Sequence, residues 1–200
     1  MGIMFKNKLN LHLSCSRRAE DYILKLTLSP NQTGIIYRVT AVLFAYGWDI
    51  KEANFETLDG IVKDVFIIQN TAGQEMTDLA LQKIQSDLYE LFFQDLAVID
   101  YLERFSIPPA IKKDNKPPVV HIFNPKTVDS TVLDVRTSDR PGLLFEISQL
   151  LYLLDVDIVS VVARTEDGNV RDTFLLRKNE SEQLDEETMQ KITEGLLKFL

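Results

Sequence analysis

One stretch of this chain is written twice. Gly34-Ile35-Ile36 through Asp59-Gly60-Ile61-Val62-Lys63-Asp64-Val65-Phe66 returns without a gap as Gly142-Leu143-Leu144 through Asp167-Gly168-Asn169-Val170-Arg171-Asp172-Thr173-Phe174. The offset is 108 residues throughout, and 10 of the 35 aligned positions from Gly34 to Ile68 are identical. Unrelated segments would share about two, so a fixed-period match of this length marks a duplicated structural unit. A chain of 200 residues built this way holds two small domains, each near the lower end of ordinary domain size. Function then depends on how the two copies face each other.

Composition narrows the partners. A net charge of −8 argues against a nucleic-acid partner, because phosphate backbones demand clustered Lys and Arg. The single cysteine, Cys15, can form no intramolecular disulfide, which fits a reduced, cytoplasmic setting. Near the N-terminus Leu9, Leu11 and Leu13 alternate with polar residues, as in a half-buried strand rather than a signal peptide. No stretch approaches the roughly 20 apolar residues that span a bilayer, so no membrane partner is expected.

Each repeat reads as strand, loop, helix, strand, turn, strand, helix. The β-formers of 22–28 and 131–135 run into polar loops ending in glycine, Ser29-Pro30-Asn31-Gln32-Thr33-Gly34 and Ser138-Asp139-Arg140-Pro141-Gly142. Ile35, Ile36, Val39, Val42 and Leu43, matched by Leu143, Leu144, Ile147, Leu150 and Leu151, form apolar helical stripes. Segments 48–57 and 156–165 read as strands, joined through Asp-Gly turns to third strands at 61–69 and 170–177. Amphipathic helices over 77–93 and 185–200 close the units. In repeat 2 no strand follows the last helix to protect the open edge of the first. Residues 9–15 and 118–124 are the candidates, each a hairpin partner laid antiparallel to the strand after it. Segment 96–105 reads either as an extra strand or as a continuation of the preceding helix. The expected division is a first domain over 8–105, a Pro- and Lys-containing linker over 106–117 and a second domain over 118–200.

The run of strand, Asp139-Arg140-Pro141-Gly142-Leu143-Leu144, helix, Val156-Asp157-Ile158, strand, Asp-Gly turn and strand resembles the ACT domain. Repeat 1 departs from the pattern, with Asn31-Gln32-Thr33-Gly34 in place of Asp-Arg-Pro-Gly. Pro117-Pro118-Val119-Val120-His121-Ile122-Phe123-Asn124, followed by Thr131-Val132-Leu133-Asp134-Val135, resembles more specifically the tandem ACT region at the C-terminal end of the bacterial PII uridylyltransferase/uridylyl-removing enzymes, glutamine sensors of nitrogen signalling. The resemblance implies an α/β (α+β) fold of two ferredoxin-like βαββαβ-type domains, each an antiparallel sheet covered by two helices, with the added N-terminal strand replacing the last one. It implies an amino-acid ligand, glutamine being one candidate, and allows homodimers through ACT–ACT contacts.

The catalytic parts of those enzymes do not come with it. The chain has only His12 and His121, neither followed by aspartate, and no Gly-rich phosphate loop follows a strand. No catalytic residue, metal or cofactor is expected, and the chain reads as a regulatory module without activity of its own. Two alternatives stand beside it: an interaction module that has lost ligand binding, and a fragment of a uridylyltransferase whose catalytic domains are encoded before Met1.

The expected ligand site is the loop before the first helix of each repeat. N–H groups at Gly142-Leu143 and Gly34-Ile35 suit a carboxylate, and the glycines allow close approach. By resemblance, Asp139 and Asn31 in the loops and Asp157 and Asp49 at the start of the second strands contact the ligand's backbone. Thr137 and Arg140 complete the candidate set in repeat 2, whose loop is expected to carry more of the affinity, with Asp157 contributing to it. Simpler readings are a helix cap for Asp139, local backbone partners for Asp49 and Asp157, a solvated or interface charge for Arg140, and sheet-surface ion pairs for Asp64 and Asp172.

Overall fold

The computed structural model describes residues 10–58, 60–105, 117–166, 168–178 and 182–200. All but the last residue of the expected linker lies outside them. The first half comprises β1 (Asn10–Arg18), β2 (Asp21–Ser29), α1 (Ile35–Ala45), β3 (Trp48–Leu58), β4 (Ile61–Asn70), α2 (Asp78–Phe93) and α3 (Val98–Leu102). The second comprises β5 (Val119–Phe123), β6 (Thr131–Ser138), α4 (Leu143–Leu153), β7 (Asp157–Glu166), β8 (Asn169–Arg177) and α5 (Glu186–Phe199). Among these residues no helix is long and apolar enough to cross a membrane.

The strands form one antiparallel sheet in the order β1-β2-β4-β3-β7-β8-β6-β5. Within each half this is the ferredoxin-like order, with an N-terminal strand in the fourth strand's place. β1 lies along β2 from Asn10↔Ser29 to Arg18↔Asp21, and β5 lies along β6 from Val119↔Arg136 to Phe123↔Val132. Both first strands therefore have their edge groups paired, as the sequence requires. The alternation in β2, with Tyr22, Leu24, Leu26 and Leu28 buried, turns one face of the sheet to the helices. Thr77 and Asp185 cap α2 and α5 by accepting from the N–H groups of Ala80 and Thr188.

Segment 96–105 is neither a strand nor an extension of α2. It turns back as the five-residue helix α3, whose Tyr101 is fully buried and donates to Asp87 Oδ2 at 2.9 Å.

The 108-residue offset carries through to three dimensions. Helices α1 and α4 coincide end for end under it, and so do the β-bulges at Ile50/Glu52 and Ile158/Ser160. The halves join through β3 and β7, with Glu52↔Arg164, Ala53↔Ala163 and Asn54↔Val162 in register. Asn54 and Val162 are the same position of the two repeats, so a local twofold axis passes between them. In the helix layer Thr40 Oγ1 lies 3.0 Å from Ser148 Oγ, again one position meeting its own copy. Four rings, Tyr152, Tyr37, Phe145 and Phe44, stack in that order along the α1–α4 seam. The repeats thus share one core.

Candidate functional site

Each first helix starts from a glycine in the left-handed region, Gly34 at φ 77° and Gly142 at φ 82°, and neither helix has a side-chain cap. Asp139 is therefore not the cap of α4. Its N–H donates to Gly168 O at 2.9 Å, as that of Asn31 does to Gly60 O at 3.1 Å, which ties each loop to the β-turn of its own repeat. Arg140 is not a solvated charge. It is 6% exposed, its Nη2 pairs with Glu146 and reaches Phe199 O at 3.3 Å, and its buried Nη1 has no partner among the described residues.

The two glycines serve the helix seam as well as the loops. A Cβ on Gly142 would sit 2.6 Å from the ring of Phe44, and one on Gly34 would sit 2.6 Å from the ring of Tyr152. Phe44 and Tyr152 are equivalent positions, and each caps the other repeat's glycine. The space that the missing side chains leave is taken by an aromatic ring of the neighbouring repeat.

The twofold arrangement also exchanges the acidic partners. The repeat-2 loop faces the start of β3, so Asp49, Asp139, Arg140, Gly142 and Leu143 share one pocket. The repeat-1 loop faces the start of β7, and Asn31, Thr33, Ile35 and Asp157 share the other. Asp157 does not join the 137–143 loop, contrary to the sequence expectation, because the sheet continues from β3 into β7 and each loop overhangs the other repeat's strand. Thr137, on β6 opposite Val170, is not part of either wall. Gly34 borders a small void of about 10 Å³ that also touches Ile35 and Asp157.

The pockets differ in size. The cavity beside Asp157 measures about 560 Å³ and includes Asp64 and Arg177 in its wall. The one beside Asp49 measures about 20 Å³, room for little more than one water molecule. Lys51 stands in its wall, its Nζ 2.6 Å from Asp49 Oδ2 and 3.2 Å from Asp139 Oδ2. Burial lowers the Lys51 pKa, but the hydrogen bonds and charges of Asp49 and Asp139 outweigh this and hold it above its ordinary value. Burial raises the Asp49 carboxyl and Asp139 adds repulsion, against a lowering by Lys51.

Asp64 and Asp172 are not sheet-surface residues. They are 1% and 4% exposed, pointing to the helix side of β4 and β8. Asp172 accepts from the Arg164 N–H at 3.2 Å, and burial pushes its carboxyl up to about 7. Their parity was legible in the sequence: both stand two residues from a core phenylalanine (Phe66, Phe174), on the same face of the strand. For Lys51 the nearby Asp49 was readable in the sequence, whereas its second partner, Asp139, lies in the loop of the other repeat and was not.

No family model matches the chain. It is 28% identical over 146 residues to a bifunctional uridylyltransferase/uridylyl-removing enzyme of Ruegeria pomeroyi, a match covering 72% of this chain and 16% of the enzyme. It is 26% identical over 153 residues to the ACT domain-containing protein ACR3 of Arabidopsis thaliana, covering 76% of this chain and 30% of that protein. The aspartate kinase from Synechocystis superposes with a TM-score of 0.47 at 14% identity, over 88% of this chain and 27% of the kinase. The chain thus spans about a sixth of the length of the first of these relatives. Its duplicated strand order, its Asp-Arg-Pro-Gly loop and these sequence matches make it similar to ACT domain-containing proteins and to part of the uridylyltransferase/uridylyl-removing enzymes.

Proposed function

We propose that the chain is a regulatory module that senses an amino acid and has no catalytic activity of its own, with one ACT unit on each side of the 106–117 linker. The observation that carries this is the groove of about 560 Å³ where the N-terminus of α1 meets Asp157 across the repeats. Its size falls in the range of roughly 300–1,000 Å³ used by small-molecule sites. Uncapped N–H groups of α1 suit a carboxylate, Asp157 suits an ammonium, and Asn31 and Thr33 supply polar atoms at the rim. Glutamine as first candidate and nitrogen metabolism as setting are carried over from the family resemblance of the sequence, Pro117 to Asn124 followed by Thr131 to Val135. A cytoplasmic location and further association through ACT–ACT contacts belong to the same proposal.

Thermal-shift measurements against the twenty amino acids, followed by calorimetry on the best, test it. Asp157→Ala removes a charge-assisted hydrogen bond of roughly 1.5–3 kcal/mol, so the dissociation constant should rise by about one to two decades. If no amino acid binds the wild-type chain at millimolar concentration, the sensing function fails and an interaction module takes its place.

A further inference from the structure

The two pockets are related by the local twofold, yet one is open and the other is full. Three of the equivalent positions that differ between the two walls bear on Lys51. Val159 beside the groove corresponds to Lys51, Asn31 corresponds to Asp139, and Phe55 corresponds to Ala163. Each change serves the lysine: Lys51 supplies a stem and an ammonium, Asp139 adds a second carboxylate beside Asp49, and Ala163 leaves the room that the Phe55 ring takes in the other repeat. The rest of a ligand site is in place. Asp49 stands where Asp157 stands, the uncapped N-terminus of α4 stands where that of α1 does, and the buried Arg140 on the wall keeps Nη1 without a hydrogen-bond partner among the described residues.

We propose that Lys51 is a built-in occupant of a second amino-acid site: its ammonium takes the place of a ligand's ammonium between Asp49 and Asp139, and only the groove at Asp157 stays open. The name of the ligand class rests on the function proposed above, whereas the occupancy itself does not. The chain is therefore a one-site sensor built from a two-site frame. The filled pocket holds the repeat-2 loop on β3, while the open one leaves the repeat-1 loop available to respond.

Replacing Lys51 by Ala removes the equivalent of n-propylammonium, which makes that cation the direct probe. The test is calorimetry and thermal unfolding of the full chain, wild type and Lys51→Ala, titrated with n-propylammonium chloride against sodium chloride. The expected result is one more saturable site per chain in Lys51→Ala than in wild type, with a larger rise of the melting temperature, and loss of that extra site in Lys51→Ala/Asp139→Asn. A folded Lys51→Ala variant that ignores the probe, or a wild type that binds it equally, overturns the proposal. If Lys51→Ala is unfolded without additive, the same titration is read by circular dichroism. Recovery of the native spectrum then supports the proposal, and failure to recover while Lys51→Met folds overturns it. None of these arms requires the groove to bind anything, so a negative amino-acid screen leaves this test standing.

Discussion

Asp172 carries an electrostatic cost of the fold in a buried carboxyl. Its carboxyl sits near 7 in the folded chain against 3.8 ordinarily, burial being the main cause and the charge of Asp139 a lesser one. The folded value is the higher, so the neutral form is favoured in the fold. That contribution is complete below about pH 4 and is lost as pH rises through about 7. Asp172→Asn keeps an acceptor for the Arg164 N–H and never ionises. Urea unfolding should show it close to wild type at pH 4 and more stable at pH 8.5, by at most about 4 kcal/mol. A pH-independent difference would show that Asp172 does not titrate between these values. Gly142 makes the second case. Alanine there meets both a positive φ and the Phe44 ring at 2.6 Å. In a Phe44→Ala background Gly142→Ala should cost only the left-handed strain of about 1–2 kcal/mol, and in wild type clearly more. Equal costs in a double-mutant cycle would remove the steric account.

Among the elements, α3 is the one whose existence the periodicity of the sequence does not announce. Five residues cannot hold a helix by propensity alone, and the fixing interaction is tertiary. Asp87 Oδ2 on α2 accepts from Tyr46 at 2.7 Å and from Tyr101 at 2.9 Å, so one oxygen ties the end of α1 and all of α3 to α2. Both phenols are held above the ordinary tyrosine range, by burial first and by Asp87 second, and so remain donors in alkaline solution. Asp87→Ala leaves the fully buried Tyr101 hydroxyl without this acceptor. A loss of roughly 2–3 kcal/mol in denaturant unfolding is expected, with amide exchange accelerated across 98–102. Unchanged exchange there would mean that apolar packing alone fixes α3.

At the scale of the molecule, the joint between repeats decides whether there are two domains or one folding unit. Three ladder pairs between β3 and β7, backed by the ring stack between α1 and α4, give one continuous core. The wild-type chain should therefore unfold in a single calorimetric transition. Ala53 is 3% exposed and lies opposite Ala163 in that ladder. Ala53→Asp places a carboxylate in the joint, and two separated transitions are expected in its place. Two transitions already in the wild type would show that the seam contributes little to cooperativity.

The sequence alone determined the repeat, its offset, the elements within each copy other than α3, and the candidates for an added strand at each outer edge. All of these follow from local periodicity, turn chemistry and the requirement that strand edges be paired, and they were readable from residues close together in the chain. The loop positions of Asn31, Gly34, Asp139 and Gly142 belong to that part, while the ferredoxin-like order came from the family resemblance of the sequence. Only the tertiary structure decided which loop meets which strand. The exchange of Asp49 and Asp157 between loops, the seating of Phe44 and Tyr152 on the opposite glycines, and the Lys51 bridge all follow from running β3 into β7. A one-dimensional pattern fixes which way a side chain faces within its own repeat, whereas the symmetry of the joint fixes which neighbour it meets there.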